Sequence, residues 1–256
     1  MNNSFTVIIP ARYGSTRFPG KPLVELAGRP MIEHVYRRAC ASGAERVLVA
    51  TDDERIAAAC DTFGADVVMT RSDHPSGTDR LAEVVERERL PDDAIVVNLQ
   101  GDEPMMPPSL VRQAASALAE RPQADIATLA TAIRTRDEVF DPNAVKLVRD
   151  HLGFALYFSR APIPWDRDGF ARSGEGKLNA GYLRHLGLYA YRVDFLRRYP
   201  RLDEVDIETA ECLEQLRALW HGAKIYVDIA GEMPPPGIDT PADLERVRKA
   251  LANAGN

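Results

Sequence analysis

Between Pro10 and Pro22 the chain reads Pro10-Ala11-Arg12-Tyr13-Gly14-Ser15-Thr16-Arg17-Phe18-Pro19-Gly20-Lys21-Pro22, placing Arg12, Arg17 and Lys21 beside two hydroxyls and two glycines. These are the residue types a polyphosphate requires. Glycine lets the backbone approach, amide N–H groups cradle oxygens, and guanidinium and ammonium groups neutralise charge. The segment is not a Walker A loop, because five residues separate Gly14 from Gly20 and Pro22 follows the lysine where a hydroxyl would be needed. Nor is it a GxGxxG turn. An ordinary basic surface loop has the same composition, and it is the position after the first strand that points to phosphate binding.

The second group is acidic. Val97-Asn98-Leu99-Gln100-Gly101-Asp102-Glu103-Pro104 ends an apolar run with two carboxylates, where Mg²⁺ bridging nucleotide phosphates would sit. A lone aspartate after a strand also serves as a turn residue or a helix cap. A second ligand is available in Gly237-Ile238-Asp239-Thr240-Pro241, although Asp239 and Thr240 equally suit capping of the final helix. Spacing leaves open whether Asp102 and Asp239 meet.

Elements that could position these residues follow from periodicity. Thr6–Pro10, Arg46–Ala50, Asp66–Met69, Ala94–Leu99 and Ile126–Ala132 read as buried strands. Helical stripes alternate with them: Met31–Gly43 with Pro30 as first helical residue, one through Ile56 to Phe63, Asp79–Arg89, and Ser109–Glu120. This alternation predicts an α/β fold with a mostly parallel sheet flanked by helices. Ala144–Arg149 and Phe154–Ser159 flank a turn at Asp150–Gly153, Pro162–Gly181 is a polar loop, and Arg184–Arg192 is a further strand. Residues 133–205 are therefore expected to form an antiparallel insert within one domain spanning 1–256. Helix Ile207–Trp220, strand Lys224–Ile229 and helix Pro241–Leu251 close the chain, with Thr240 as N-cap of the last.

Composition excludes several classes. The chain of 256 residues carries a net charge of −6, which argues against coating nucleic acid or anionic lipid. No apolar run approaches the roughly 18 residues of a membrane span, and a polar Met1–Ser4 ahead of the short run Val7–Ile9 gives no expectation of a signal peptide. Cys40, Cys60 and Cys212 are odd in number and lack CxxC spacing, which fits a reducing cytoplasm better than a disulfide framework or a zinc site.

Several of these segments together carry a resemblance. Ile9-Pro10-Ala11-Arg12, Ser15-Thr16-Arg17, Pro19-Gly20-Lys21-Pro22-Leu23, Ser76-Gly77-Thr78-Asp79-Arg80 and Gln100-Gly101-Asp102-Glu103-Pro104 resemble the 3-deoxy-D-manno-octulosonate (Kdo) cytidylyltransferases. Asn143-Ala144-Val145-Lys146, Tyr157-Phe158-Ser159-Arg160, Ile163-Pro164-Trp165, Arg184-His185-Leu186-Gly187, Leu213-Glu214-Gln215-Leu216-Arg217 and Asp239-Thr240-Pro241 continue it over nearly the whole chain. Pro234–Pro236 and Ile238 depart from the family pattern without consequence for chemistry, and the loop Asp168–Gly181 lies outside the resemblance.

The resemblance implies a nucleotide-diphospho-sugar transferase fold and the reaction CTP + Kdo → CMP-Kdo + pyrophosphate, in the service of lipopolysaccharide synthesis. It implies Arg12, Lys21, Asp102 and Asp239 as catalytic residues, with Mg²⁺ held by Asp102 and Asp239. CTP would meet Arg12, Gly14, Ser15, Lys21, Ser76, Arg80 and Asp102, with Arg17 a weaker candidate. The sugar acid would meet Gln100, Arg160, His185, Tyr189, Glu211 and Gln215. Alternation in Arg184–Arg192 puts His185 and Tyr189 opposite Leu186 and Leu188, and Glu211 and Gln215, four apart, share a helix face. Taken alone, His185 also reads as a structural histidine and Glu211 with Gln215 as a solvated face. A cytoplasmic homodimer is expected. The alternatives are a cytidylyltransferase for 8-amino-Kdo or another acidic sugar, and a module that binds CTP without turning it over, which would have no need of two metal carboxylates.

Overall fold

The computed structural model describes residues 4–14, 18–171, 178, 181–238 and 240–254. The chain opens with β1 (Thr6–Ala11), a two-residue hairpin of β2 (Glu25–Leu26) and β3 (Arg29–Pro30), α1 (Met31–Ala41), β4 (Arg46–Thr51), α2 (Glu54–Asp61), β5 (Asp66–Met69), α3 (Gly77–Arg87) and β6 (Ile95–Asn98). It continues with α4 (Pro108–Ala119), β7 (Ile126–Ala132), α5 (Arg136–Phe140), β8 (Lys146–Arg149), β9 (Ala155–Ser159) and β10 (Leu183–Arg192). The last elements are α6 (Val193–Arg198), α7 (Asp206–Glu211), α8 (Gln215–Trp220), β11 (Ile225–Ile229) and α9 (Pro241–Ala254).

The main sheet runs β11-β7-β10-β6-β1-β4-β5, with β8 and β9 attached through β10. β1 is parallel to β4 and β6, β4 to β5, and β7 to β11. Alternation along β1 divides the core between two faces. Val7 and Ile9 join Ile32, Val35, Ile56, Leu110 and Ala114 on one side. Ile8 joins Leu81, Val84, Phe195 and Leu216 on the other. Helices α1, α2 and α4 thus cover one face while α3, α6 and α8 cover its reverse, as a parallel sheet requires.

Three expectations need correction. β10 is antiparallel, as expected of residues 133–205, but it is built into the main sheet between β6 and β7, pairing Tyr189 with Asn98 and Tyr191 with Ile126. Within the nine-stranded sheet, β8 and β9 stand off the main path, and β2–β3 forms a separate two-stranded sheet. The expected helix 207–220 is broken at Cys212, whose φ of 51° and ψ of 51° turn the chain between α7 and α8. A buried bidentate pair, Arg217 to Glu208 at 2.7 Å from both nitrogens, ties the two short helices together. Pro30 caps α1 from extended backbone and is not its first helical residue.

Candidate active site

β1 leads through α1 to β4 on one side, while β6 returns to pair with β1 on the other, so the loops after β1 and β6 diverge around a crevice at their carboxyl ends. Open α/β sheets bind ligands at such a point. The crevice is a cavity of about 210 Å³ lined by Arg12, Lys21, Gln100 and Asp102 together with backbone of Pro10, Gly77 and Gly101. Arg12 is aimed by its guanidinium Nη2, which donates to the carbonyls of His74 at 2.6 Å and Ser76 at 3.1 Å. Lys21 Nζ lies 2.8 Å from Asp102 Oδ2. Gly101 makes this approach possible: a Cβ there would sit 2.9 Å from the Pro10 carbonyl oxygen. Behind Asp102, the Ile238 amide donates to its carbonyl oxygen at 3.1 Å, bringing the start of the last loop against the β6 edge.

A second cavity of about 340 Å³ adjoins the first, and Gly77 and Gln100 line both. β10 contributes His185, Tyr189 and Tyr191 to it, the α7–α8 corner contributes Glu214 and Gln215, and α3 contributes Thr78. Burial pushes the His185 imidazole down to about 3, so it is neutral. Its Nε2 lies 3.0 Å from Thr128 Oγ1. That hydroxyl has the Leu188 carbonyl 2.8 Å away as its own acceptor. The network therefore assigns the proton of His185 to Nε2 and leaves Nδ1 as an acceptor. Burial, with Asp79 nearby, raises the Glu214 carboxyl above its usual range, although Thr78 donates to it at 3.0 Å. Burial likewise lifts the Tyr189 phenol well above 10. Apolar side chains such as Ile126, Leu213 and Ala218 line part of this cavity, and its tyrosine, histidine and amide groups can read hydroxyls.

The structure brings Arg12, Lys21, Gln100 and Asp102 together in the smaller cavity, and Gln100, His185, Tyr189 and Gln215 in the larger. Five expected residues are placed otherwise. Ser76 is the N-cap of α3: its hydroxyl accepts from the Asp79 amide at 3.1 Å and donates to Asp79 Oδ2 at 2.6 Å, so it is already engaged. Arg80 is fully buried beside Thr70 and Asp52, which keeps its guanidinium off both cavity surfaces. Arg160 turns away, donating to the carbonyls of Glu211 at 2.7 Å and Pro142 at 3.0 Å. Glu211 accepts from the Ser159 hydroxyl at 2.5 Å and the Arg160 amide at 2.8 Å, and the break at Cys212 removes it from the face of Gln215. Gly14 is exposed and lines neither cavity. Ser15, Arg17 and Asp239 lie outside the described residues. Glu214, Thr78, Asn98 and Tyr191 were not singled out from sequence. Glu214 carried a signal in the Leu213-Glu214-Gln215 segment, but an acid within an apparently continuous helix reads as solvated.

A family model described as cytidylyltransferase matches residues 6–225. The chain is 64% identical over 256 residues to the 3-deoxy-manno-octulosonate cytidylyltransferase of Alkalilimnicola ehrlichii, covering 100% of this chain and 99% of that protein. It is 61% identical to the protein of the same name from Halorhodospira halophila, covering 97% of each. Among solved structures, that of CMP:2-keto-3-deoxy-manno-octonic acid synthetase complexed with CTP matches with a TM-score of 0.89 and 45% identity, over 98% of this chain and 99% of that one.

Proposed function

The chain belongs to the 3-deoxy-manno-octulosonate cytidylyltransferase family, and from that membership we propose that it transfers CMP from CTP to the anomeric hydroxyl of Kdo. The observation that carries this reading is the pair of joined cavities. A cationic one suits a triphosphate, and a second one bearing tyrosine, histidine and amide groups suits the hydroxyls of a sugar, with Gln100 common to both. The Kdo oxygen attacks the α-phosphorus, the bond from that phosphorus to the β-phosphate oxygen breaks, and pyrophosphate leaves with its charge. The hydroxyl proton passes to solvent. Alignment and charge neutralisation are the main demands on the protein. Arg12 and Lys21 hold the phosphates and stabilise the departing pyrophosphate, while Gln100, His185, Tyr189 and Gln215 orient the sugar acid.

A hard divalent cation fits the donor set. Asp102 opens on the cleft with its side chain 38% exposed, beside the Gln100 amide. Among the described residues no cluster of three or more His, Cys, Asp or Glu stands ready for a metal. Mg²⁺ keeps waters and takes one or two carboxylates plus substrate phosphates. Asp102 and Asp239 would hold it, and when bound it supplies Lewis acidity to the attacking hydroxyl and the α-phosphate.

We place the reaction in lipopolysaccharide synthesis in the cytoplasm, in keeping with free Cys40, Cys60 and Cys212. We read the protein as a homodimer. Leu152 and Leu156 on the β8–β9 hairpin, 60% and 62% exposed, support a covered face there. The decisive experiment is pyrophosphate release with each of the four nucleoside triphosphates, Mg²⁺, and Kdo, 8-amino-Kdo or sialic acid. Release is expected with CTP and Kdo; release only with another acidic sugar renames the acceptor, and binding of CTP without release with any acceptor overturns the enzymatic reading.

A further inference from the structure

The loop that carries Arg12 and Lys21 is closed at its neck by a contact that the reaction itself does not need. The chain leaves at Tyr13 and returns at Gly20, where the Gly20 amide donates to the Tyr13 carbonyl at 2.9 Å. Gly20 has a φ of +71°, and a Cβ on it would lie 3.2 Å from the Tyr13 ring, so the ring occupies the space a side chain would take. Over the face of that ring stands the Arg55 guanidinium, 3.3 Å from the centroid. Arg55 is aimed in turn: Asp53 accepts from its Nε at 2.9 Å and its Nη2 at 2.6 Å, while the same carboxylate caps α2 through the Arg55 amide at 2.9 Å. The Asp53 amide donates to Thr51 Oγ1 at 3.2 Å, and Thr51 is paired with Ala11 at the ends of β4 and β1. A continuous relay thus runs from the sheet edge through Asp53, Arg55 and Tyr13 to Gly20, the residue before Lys21.

We propose that Tyr13, clamped by Arg55, is a positioning residue for the triphosphate: it fixes the separation of Arg12 and Lys21 before the nucleotide arrives. The proposal rests on the functional reading above, in which those two cations meet phosphate. Arg12 is held from the other side by the His74 and Ser76 carbonyls. The returning strand of the loop is therefore the part the clamp controls. A preset pair of cations binds a polyanion without the cost of ordering them. Loosening the clamp weakens phosphate binding and leaves the sugar cavity untouched, because none of Tyr13, Gly20 and Arg55 lines it. The ring face and edge carry the effect, so Phe substitutes for Tyr; the guanidinium plane is not matched by Gln.

The test compares Tyr13→Ala, Tyr13→Phe and Arg55→Gln with the wild type, by calorimetric binding of CTP and of inorganic tripolyphosphate, by KM for CTP and for Kdo, and by thermal unfolding. Tyr13→Ala should lose about 10-fold in affinity for both CTP and tripolyphosphate, and Arg55→Gln about 3- to 5-fold, in line with the exposed-site strength of a cation–π contact. KM for Kdo should stay within about twofold and Tyr13→Phe should match the wild type. Unchanged CTP and tripolyphosphate affinity in Tyr13→Ala overturns the proposal. So does a loss that falls equally on both substrates and follows a drop in melting temperature, since that is what a structural role alone would give. Wild-type protein that binds CTP but releases no pyrophosphate counts against the functional reading and leaves the binding comparison in force.

Discussion

Lys21 and Asp102 stand 2.8 Å apart, with Lys21 only 8% exposed, so each neutralises the other until a phosphate arrives. On the proposed function, replacing Lys21 with Ala would remove one positioned cation from the departing pyrophosphate, and kcat/KM for CTP should fall by about 10²–10³-fold, the scale of losing one preorganised electrostatic contact. Asp102→Asn should lower kcat far more than it weakens CTP binding, and steady-state kinetics beside calorimetry separates the two. Near-normal turnover in Asp239→Asn would remove that residue from the proposed metal site. His185 gives a pH prediction. Its folded value of about 3 is depressed from 6.5 by burial, so the folded chain prefers the neutral ring. Folding stability from this residue is fully present above pH 6.5 and is lost as pH falls toward 3, at up to about 1.4 kcal/mol per pH unit. Denaturant unfolding of His185→Gln at pH 4 and pH 7 should show a smaller difference than wild type, and no kinetic transition near pH 6.5 should trace to His185. These charged residues were legible because phosphate chemistry needs cations and carboxylates in one short segment each. Glu214 and Arg80 were not, because whether a charged side chain faces solvent, a cavity or the interior is decided by packing that no local spacing records.

At the scale of elements, the site depends on how closely β6 and β1 release their loops. Gly101 lies where a Cβ would be 2.9 Å from the Pro10 carbonyl oxygen, a backbone atom that cannot swing aside. Gly101→Ala should therefore separate the two loops and carry Asp102 away from Lys21. We expect a stability loss of about 1–3 kcal/mol from this strain, and a fall in kcat that exceeds what the lost fold accounts for, measured by chemical denaturation beside turnover at a temperature where the variant is folded. Gly77, by contrast, has 3.9 Å to its nearest neighbour, and Gly77→Ala should disturb the fold little. Strand and helix positions in the first half of the chain were readable to within two or three residues, because each buried strand and amphipathic helix states its own period. The antiparallel direction of β10 was expected, but its place between β6 and β7 was not, since composition does not record which neighbours a buried strand pairs with. The break between α7 and α8 was equally hidden: Cys212 is no helix breaker, and its left-handed turn is imposed by the Glu208–Arg217 pair and by packing of Leu213 and Leu216 into the core.

Across the whole molecule, the net charge of −6 and an anionic substrate pair are reconciled by geography. Cations concentrate where β1 ends, at Arg12 and Lys21, while the cavity beyond is lined largely by neutral polar groups from β10 and the α7–α8 corner. On the proposed function, two parts of one sheet would supply two binding sites: the parallel β1–β6 pair the nucleotide side, and antiparallel β10, paired with β6 through Tyr189 and Asn98, the sugar side. Among the described residues, Gln100 and Gly77 alone line both cavities, and of these Gln100 alone has a side chain that can contact either ligand. This arrangement makes a pattern prediction across three variants. Arg12→Ala should raise KM for CTP by 10-fold or more and leave KM for Kdo within about twofold, the charge-assisted contacts it loses being worth about 1.5–3 kcal/mol. Gln215→Ala should do the reverse, raising KM for Kdo by about 5- to 10-fold through a lost hydrogen bond of about 1 kcal/mol. Gln100→Ala should move both constants and lower kcat, because it lines both cavities and, in the proposed reaction, would lie where the attacking oxygen meets the α-phosphate. A Gln100→Ala enzyme changed toward only one substrate would mean that the two cavities work as separate sites, and that the sharing of Gln100 between them has no part in the reaction.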